Sequence, residues 1–136
     1  MDEISIFVAI QFLRGNPTYH AAEVLRRNTQ GGSRAMATAA EGSPERQAVF
    51  TLISTWEAIA LMMSDLKRKD RIFSNTPVCH MYRALEPAIT YFANQFPDYG
   101  ANFKKLNTEY EAWYSRKKFS AQYVTELCNG MHARFG

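Results

Sequence analysis

SPERQAVFTLISTWEAIALMMSDL, residues 43–66, is the stretch that decides the fold. Val49, Leu52, Ile53, Trp56, Ile59, Ala60, Met63 and Leu66 recur at steps of three and four, which puts them on one face of a helix. Gly42 ends what precedes it and Ser43 is a good N-cap. Pro44 suits the first helical position, where its missing N–H has no helical partner to lose. The stretch specifies a core-facing helix and no chemistry.

Toward the N-terminus, a helix is expected over residues 2–14, with Asp2 as cap and Gly15 as stop. Asn16-Pro17 repeats the cap-plus-proline start and opens a second helix through Tyr19, Ala22 and Leu25 to about Asn28, broken by Gly31-Gly32. The alanine-rich segment 33–41 carries side chains small enough for close helix packing. Toward the C-terminus, the charged run Lys67-Arg68-Lys69-Asp70-Arg71 reads as a linker between helices. Thr76-Pro77 starts the next helix, with Val78, Met81, Tyr82, Leu85, Ile89 and Phe92 on one face. Pro87 lies inside it; a proline there removes one backbone hydrogen bond and crowds the Arg83 carbonyl, so a kink is expected. Pro97-Asp98-Tyr99-Gly100 reads as a turn. Phe103, Leu106, Tyr110, Trp113 and Tyr114 mark a helix to about Lys117, and a last helix is expected from about Ser120 to Gly130.

The expected architecture is all-α: one compact helical domain over residues 1–136, a bundle of five to seven helices. The central helix and the kinked Pro87 helix should form its antiparallel core pair. Composition agrees, since 46% of the 136 residues are apolar, well above a disordered chain. Seven glycines and five prolines are too few for the turns of a sandwich or barrel. The net charge of +3 permits contact with nucleic acid or an anionic membrane without demanding it. Ile4 to Leu13 is the only concentrated apolar run, whereas a spanning helix needs ~20 such residues. Asp2 and Glu3 stand where a signal peptide carries positive charge, so membrane association is not expected.

Candidate chemistry is sparse. Cys79 and Cys128 form neither a CxxC pair nor the framework of a small secreted domain, and are read as reduced, partly buried thiols of a cytoplasmic protein. Cys128 and His132 share a helical face, but adjacent Cys79 and His80 chelate poorly, so no metal is expected. No GxSxG, GxGxxG or GxxxxGK[ST] occurs, and neither a catalytic nucleophile nor a cofactor site is expected. Glu57 and Glu86 lie beside core-facing positions and read as boundary carboxylates paired with Arg83 or another cation, not as a general acid/base pair.

Basic residues cluster at Arg26-Arg27, Lys67 to Arg71, Lys104-Lys105 and Arg116-Lys117-Lys118, the last two close to Phe103, Tyr110, Trp113, Tyr114 and Phe119. Cations beside exposed rings would suit single-stranded nucleic acid. The helical spacing of those rings favours core positions instead.

The segment from about Arg46 to Trp113 resembles a bacterial helical family known only as a domain of unknown function. The matching residues are Trp56-Glu57, then Asp70, then Tyr82 with Leu85-Glu86-Pro87, then Phe103 with Leu106 and Trp113. The resemblance implies helical architecture and brings no catalytic residues. Members often begin with a membrane-spanning helix, which the short Ile4 to Leu13 run does not match.

The function expected is a non-enzymatic protein–protein interaction module: an adaptor, regulator or small inhibitor acting by surface binding. A nucleic-acid-binding accessory subunit is the second reading, and an enzyme whose site forms only in the tertiary fold is the third. The candidate contact residues are Lys67, Arg68, Lys69 and Arg71, with Arg116, Lys117 and Lys118 as neighbours, because a charged loop held on rigid helices is a common place for binding.

Overall fold

The computed structural model describes residues 5, 6, 9, 15–28, 31–76, 78–116 and 128. Six helices account for most of them: α1 (Asn16–Arg27), α2 (Gly32–Ala37), α3 (Pro44–Met63), α4 (Asp70–Asn75), α5 (Val78–Ala93) and α6 (Ala101–Ser115). No strand occurs among the described residues, and the fold is all-α as expected. Ser5, Ile6 and Ala9 are helical, and Ile6 is buried in the core. The rest of the expected first helix lies outside the described residues. So does the expected last helix, apart from Cys128, which is helical.

The central helix starts as its sequence dictates. Ser43 Oγ accepts the Arg46 N–H at 3.3 Å, and Pro44 occupies the first turn. All of the expected stripe from Val49 to Met63 is buried, while Leu66 falls just past the helix end. Trp56 stacks on Phe103 of α6 with ring centroids 5.2 Å apart, and Tyr82 of α5 meets Phe103 edge-on at 5.1 Å. One aromatic ring thus sits where three helices converge.

Several boundaries shift for local reasons. Gly15 is the N-cap of α1, so Asn16 already lies inside the helix. The alanine-rich segment is helical only to Ala37. The charged run is not wholly a linker, because α4 begins inside it at Asp70. An acidic residue in the first turn complements the helix dipole, and α4 buries Ile72 and Phe73.

The expected core pair is corrected. α3 packs mainly on α1 and α6, whereas α5 packs mainly on α2 and α6, and α3 meets α5 over a short stretch. The stacked Phe50 and Phe92, 4.6 Å apart, belong to that stretch. The flank of α5 is taken by α2, whose buried Ser33 accepts the Ala88 N–H on its Oγ at 3.1 Å. Pro87 precedes that donor, and α5 runs through it unbroken.

The cysteines also depart from expectation. Cys79 and Cys128 are joined in a disulfide rather than left as thiols, and both are fully buried. Two cysteines 49 residues apart carry no local spacing signal, so only the fold could pair them. The link ties Cys128 to the first turn of α5 and removes roughly 4 kcal/mol of chain entropy from the unfolded state on a loop-closure estimate.

Candidate functional site

The loop after α3, the first turn of α4 and the last two turns of α6 line a cleft of about 250 Å³. One wall is the segment Lys67, Arg68, Lys69 and Asp70, with Phe73 of α4 beneath it. The other wall is one face of α6: Glu109, Ala112, Trp113 and Arg116, spaced three, four and seven apart as a single helical face requires. Ala112 is the smallest of these side chains and leaves the gap between the walls.

The charges lining this cleft are unequally committed. Lys69, only 14% exposed along its side chain, donates to Glu109 Oε2 at 3.0 Å and to the Leu66 carbonyl at 3.0 Å. It therefore holds the loop against α6 and is not a free contact residue. Arg68 is highly exposed and reaches Asp70 at 3.5 Å. Lys67 and Arg116 are exposed and have no ion-pair partner among the described residues. Four cations and two carboxylates thus line the cleft, an excess of two positive charges. Arg71 is exposed but does not line it, and Lys117 and Lys118 lie outside the described residues. Glu109 and Ala112 were not among the sequence candidates; their helical register with Arg116 is the signal that could have found them.

The carboxylates weighed for acid/base work have structural tasks. Glu57 caps α6 from outside. Gly100, the N-cap of α6, has φ of +77° and no side chain, and a Cβ there would lie 2.7 Å from Ile89 Cγ2. The first-turn N–H groups of α6 therefore need an acceptor from elsewhere. Glu57 Oε1 accepts the Phe103 N–H at 2.6 Å and Oε2 accepts from Asn102 Nδ2 at 3.0 Å. This corrects the expectation of an ion pair for Glu57. Glu86 does pair with Arg83, at 3.6 Å, and Arg83 also donates to Glu111 at 2.8 Å across α5 and α6.

Other titratable groups are tuned away from neutral-pH proton transfer. Burial, with the Glu86 carboxylate adding to it, pushes the Tyr82 phenol up to about 12. Burial and Glu57 do the same to Tyr99, also to about 12. His80 is buried with neither ring nitrogen hydrogen-bonded, and burial lowers its pKa. Among the described residues no group of three His, Cys, Asp or Glu is placed to hold a metal ion.

Most rings near the basic clusters are withdrawn into the core, although Trp113 lines the cleft beside Arg116. Phe103, Tyr110 and Trp113 are core residues, with Trp113 only 7% exposed, so they offer no open stacking face. Arg26 and Arg27 are engaged by Glu23 on their own helix. No helix among the described residues is long and apolar enough to cross a membrane. No protein-family model, curated protein or solved structure matches the chain. The described residues that carry the family resemblance are mostly core residues: Trp56, Tyr82, Leu85, Phe103, Leu106 and Trp113 are all buried.

Proposed function

We propose that this chain is a non-enzymatic interaction module that docks an acidic surface of a partner protein at the cleft between the 67–70 segment and α6. The observation that carries the reading is the presence of Lys67 and Arg116, distant in sequence and without ion-pair partners among the described residues, in one cleft. Exposed cations held in a loop and at a helix end that pack together attract an acidic partner and orient it. The structural duties of Glu57 and Glu86 and the high phenol pKa values of Tyr82 and Tyr99 commit these groups to the fold, which supports a binding role. The buried rings favour an acidic protein over single-stranded nucleic acid, which needs open stacking platforms.

The cytoplasmic placement rested on free thiols, and the Cys79–Cys128 bond removes that ground. A buried disulfide favours an oxidising compartment. Quenching the native cells in trichloroacetic acid and alkylating the denatured chain decides this: alkylated cysteines place it in a reducing compartment, and cysteines that react only after reduction place it in an oxidising one.

Fluorescence anisotropy with a labelled hexaglutamate peptide and a labelled oligothymidylate tests the interaction reading. Hexaglutamate should bind at low salt, and Lys67→Gln/Arg68→Gln/Arg116→Gln should weaken it about tenfold, the equivalent of ~1.4 kcal/mol. Tighter binding of the oligothymidylate, with the same loss in the variant, would replace the protein partner by nucleic acid.

A further inference from the structure

The shape of the cleft says more than its charge. We infer that it seats a single acidic side chain of a partner protein, with its carboxylate between Lys67 and Arg116 and its methylene stem over Ala112. This rests on the interaction reading above and adds the chemistry of the occupant and the way it enters.

Size is the first ground. At about 250 Å³ the cleft falls below the ~300–1,000 Å³ of sites that enclose small-molecule ligands, yet it is roomy for one side chain. Electrostatics sets the polarity. The Lys69–Glu109 pair at 3.0 Å closes one end, and the Glu109 carboxylate repels a second carboxylate there. Arg116 lies two turns further along the same face of α6, so an incoming carboxylate is driven toward it and toward Lys67. Arg68, whose ion pair among the described residues is an exposed contact with Asp70, can turn to the same ligand at little cost. Apolar side chains line the cleft between the charges: Phe73 and Trp113 are almost fully buried, and Ala112 adds a methyl. A carboxylate on a short aliphatic stem matches that combination, with methylenes against the apolar side chains and charge beside the cations.

Filling the cleft separates entry from simple surface attraction. Ala112 is exposed on α6, and leucine and arginine are both good helix formers, so Ala112→Leu and Ala112→Arg should keep the fold, as checked by circular dichroism and thermal melting. With labelled hexaglutamate as the probe, Ala112→Leu should lower affinity about tenfold without changing any charge. Ala112→Arg should lower it as well, although it adds a positive charge. Attraction to the basic surface alone predicts the opposite, tighter binding by Ala112→Arg. If both Ala112 variants bind as tightly as wild type or tighter, while the Lys67/Arg68/Arg116 variant is weakened, seating in the cleft is overturned and the interaction reading stands. If that charge variant also binds like wild type, or if hexaglutamate does not bind wild type at low salt, both are overturned.

Discussion

The two ends of α6 treat charge in opposite ways. At its N-terminus the Glu57 carboxylate is fully occupied, with one oxygen on the Phe103 N–H and the other on Asn102. At its C-terminal end, Lys67 and Arg116 line a cleft and pair with no carboxylate among the described residues. The first is a charge used to finish the fold, and removing it should cost stability. The second is charge the fold does not use, and removing it should cost binding alone. Burial and partner geometry decide which is which; residue type does not. Lys69 makes the same point within the cleft, since its neighbours Lys67 and Arg68 are exposed while it is pinned to Glu109.

The largest expected effect lies in the core between these ends. Trp56→Ala removes a ring that is almost fully buried and stacked on Phe103, and should destabilise by ~3–5 kcal/mol in chemical denaturation. An unchanged midpoint would remove α3 as the centre of the fold. Next comes the disulfide. Cys79→Ala/Cys128→Ala should cost roughly 4 kcal/mol if the stapled loop is as free in the unfolded state as an entropic chain, and the denaturation midpoint of reduced wild type should fall with it. Equal midpoints for oxidised and reduced protein would mean the link adds nothing to the fold.

His80 supplies a smaller effect with a definite sign. Its native pKa lies below the unfolded value of 6.5 because burial disfavours the cation. Well above pH 6.5 it is neutral in both states and adds no pH dependence. As pH falls from there toward the lower native value, the unfolded chain takes up the proton first and stability declines. Wild type should therefore lose more stability between pH 7.5 and 5 than His80→Gln does, measured by urea denaturation at each pH. A parallel decline in the two proteins would show that His80 titrates alike folded and unfolded.

How much of this was legible in the sequence depends on the range of each signal. The start of α3 was readable because Ser43, Pro44 and the apolar stripe act within a few residues of one another. The burial of Tyr82, Leu85 and Phe92 followed from the same periodicity. Glu57 was not readable as a cap, because its acceptor role exists only once Gly100 and Phe103 arrive from a distant turn. The disulfide was missed for the same reason. For the cleft, the cations were found as a charged run and a helix-end cluster. The division into Lys69, pinned to α6, and Lys67 and Arg116, which pair with no described carboxylate, required the position of Glu109. The packing of α5 on α2 includes a contact that no local pattern encodes, the buried Ser33 hydroxyl meeting the N–H after Pro87.

Melting and hexaglutamate binding, measured side by side on Glu57→Ala and on Lys67→Gln/Arg116→Gln, bear most directly on the contrast between the two ends of α6. Glu57→Ala should lower stability by ~1–2 kcal/mol, as loss of a helix cap does, and leave the affinity of the folded protein unchanged. Lys67→Gln/Arg116→Gln should melt like wild type and bind several-fold more weakly, with a flatter dependence on salt. A Lys67/Arg116 variant that loses stability but binds hexaglutamate like wild type would contradict it, because those cations would then serve the fold and not a partner.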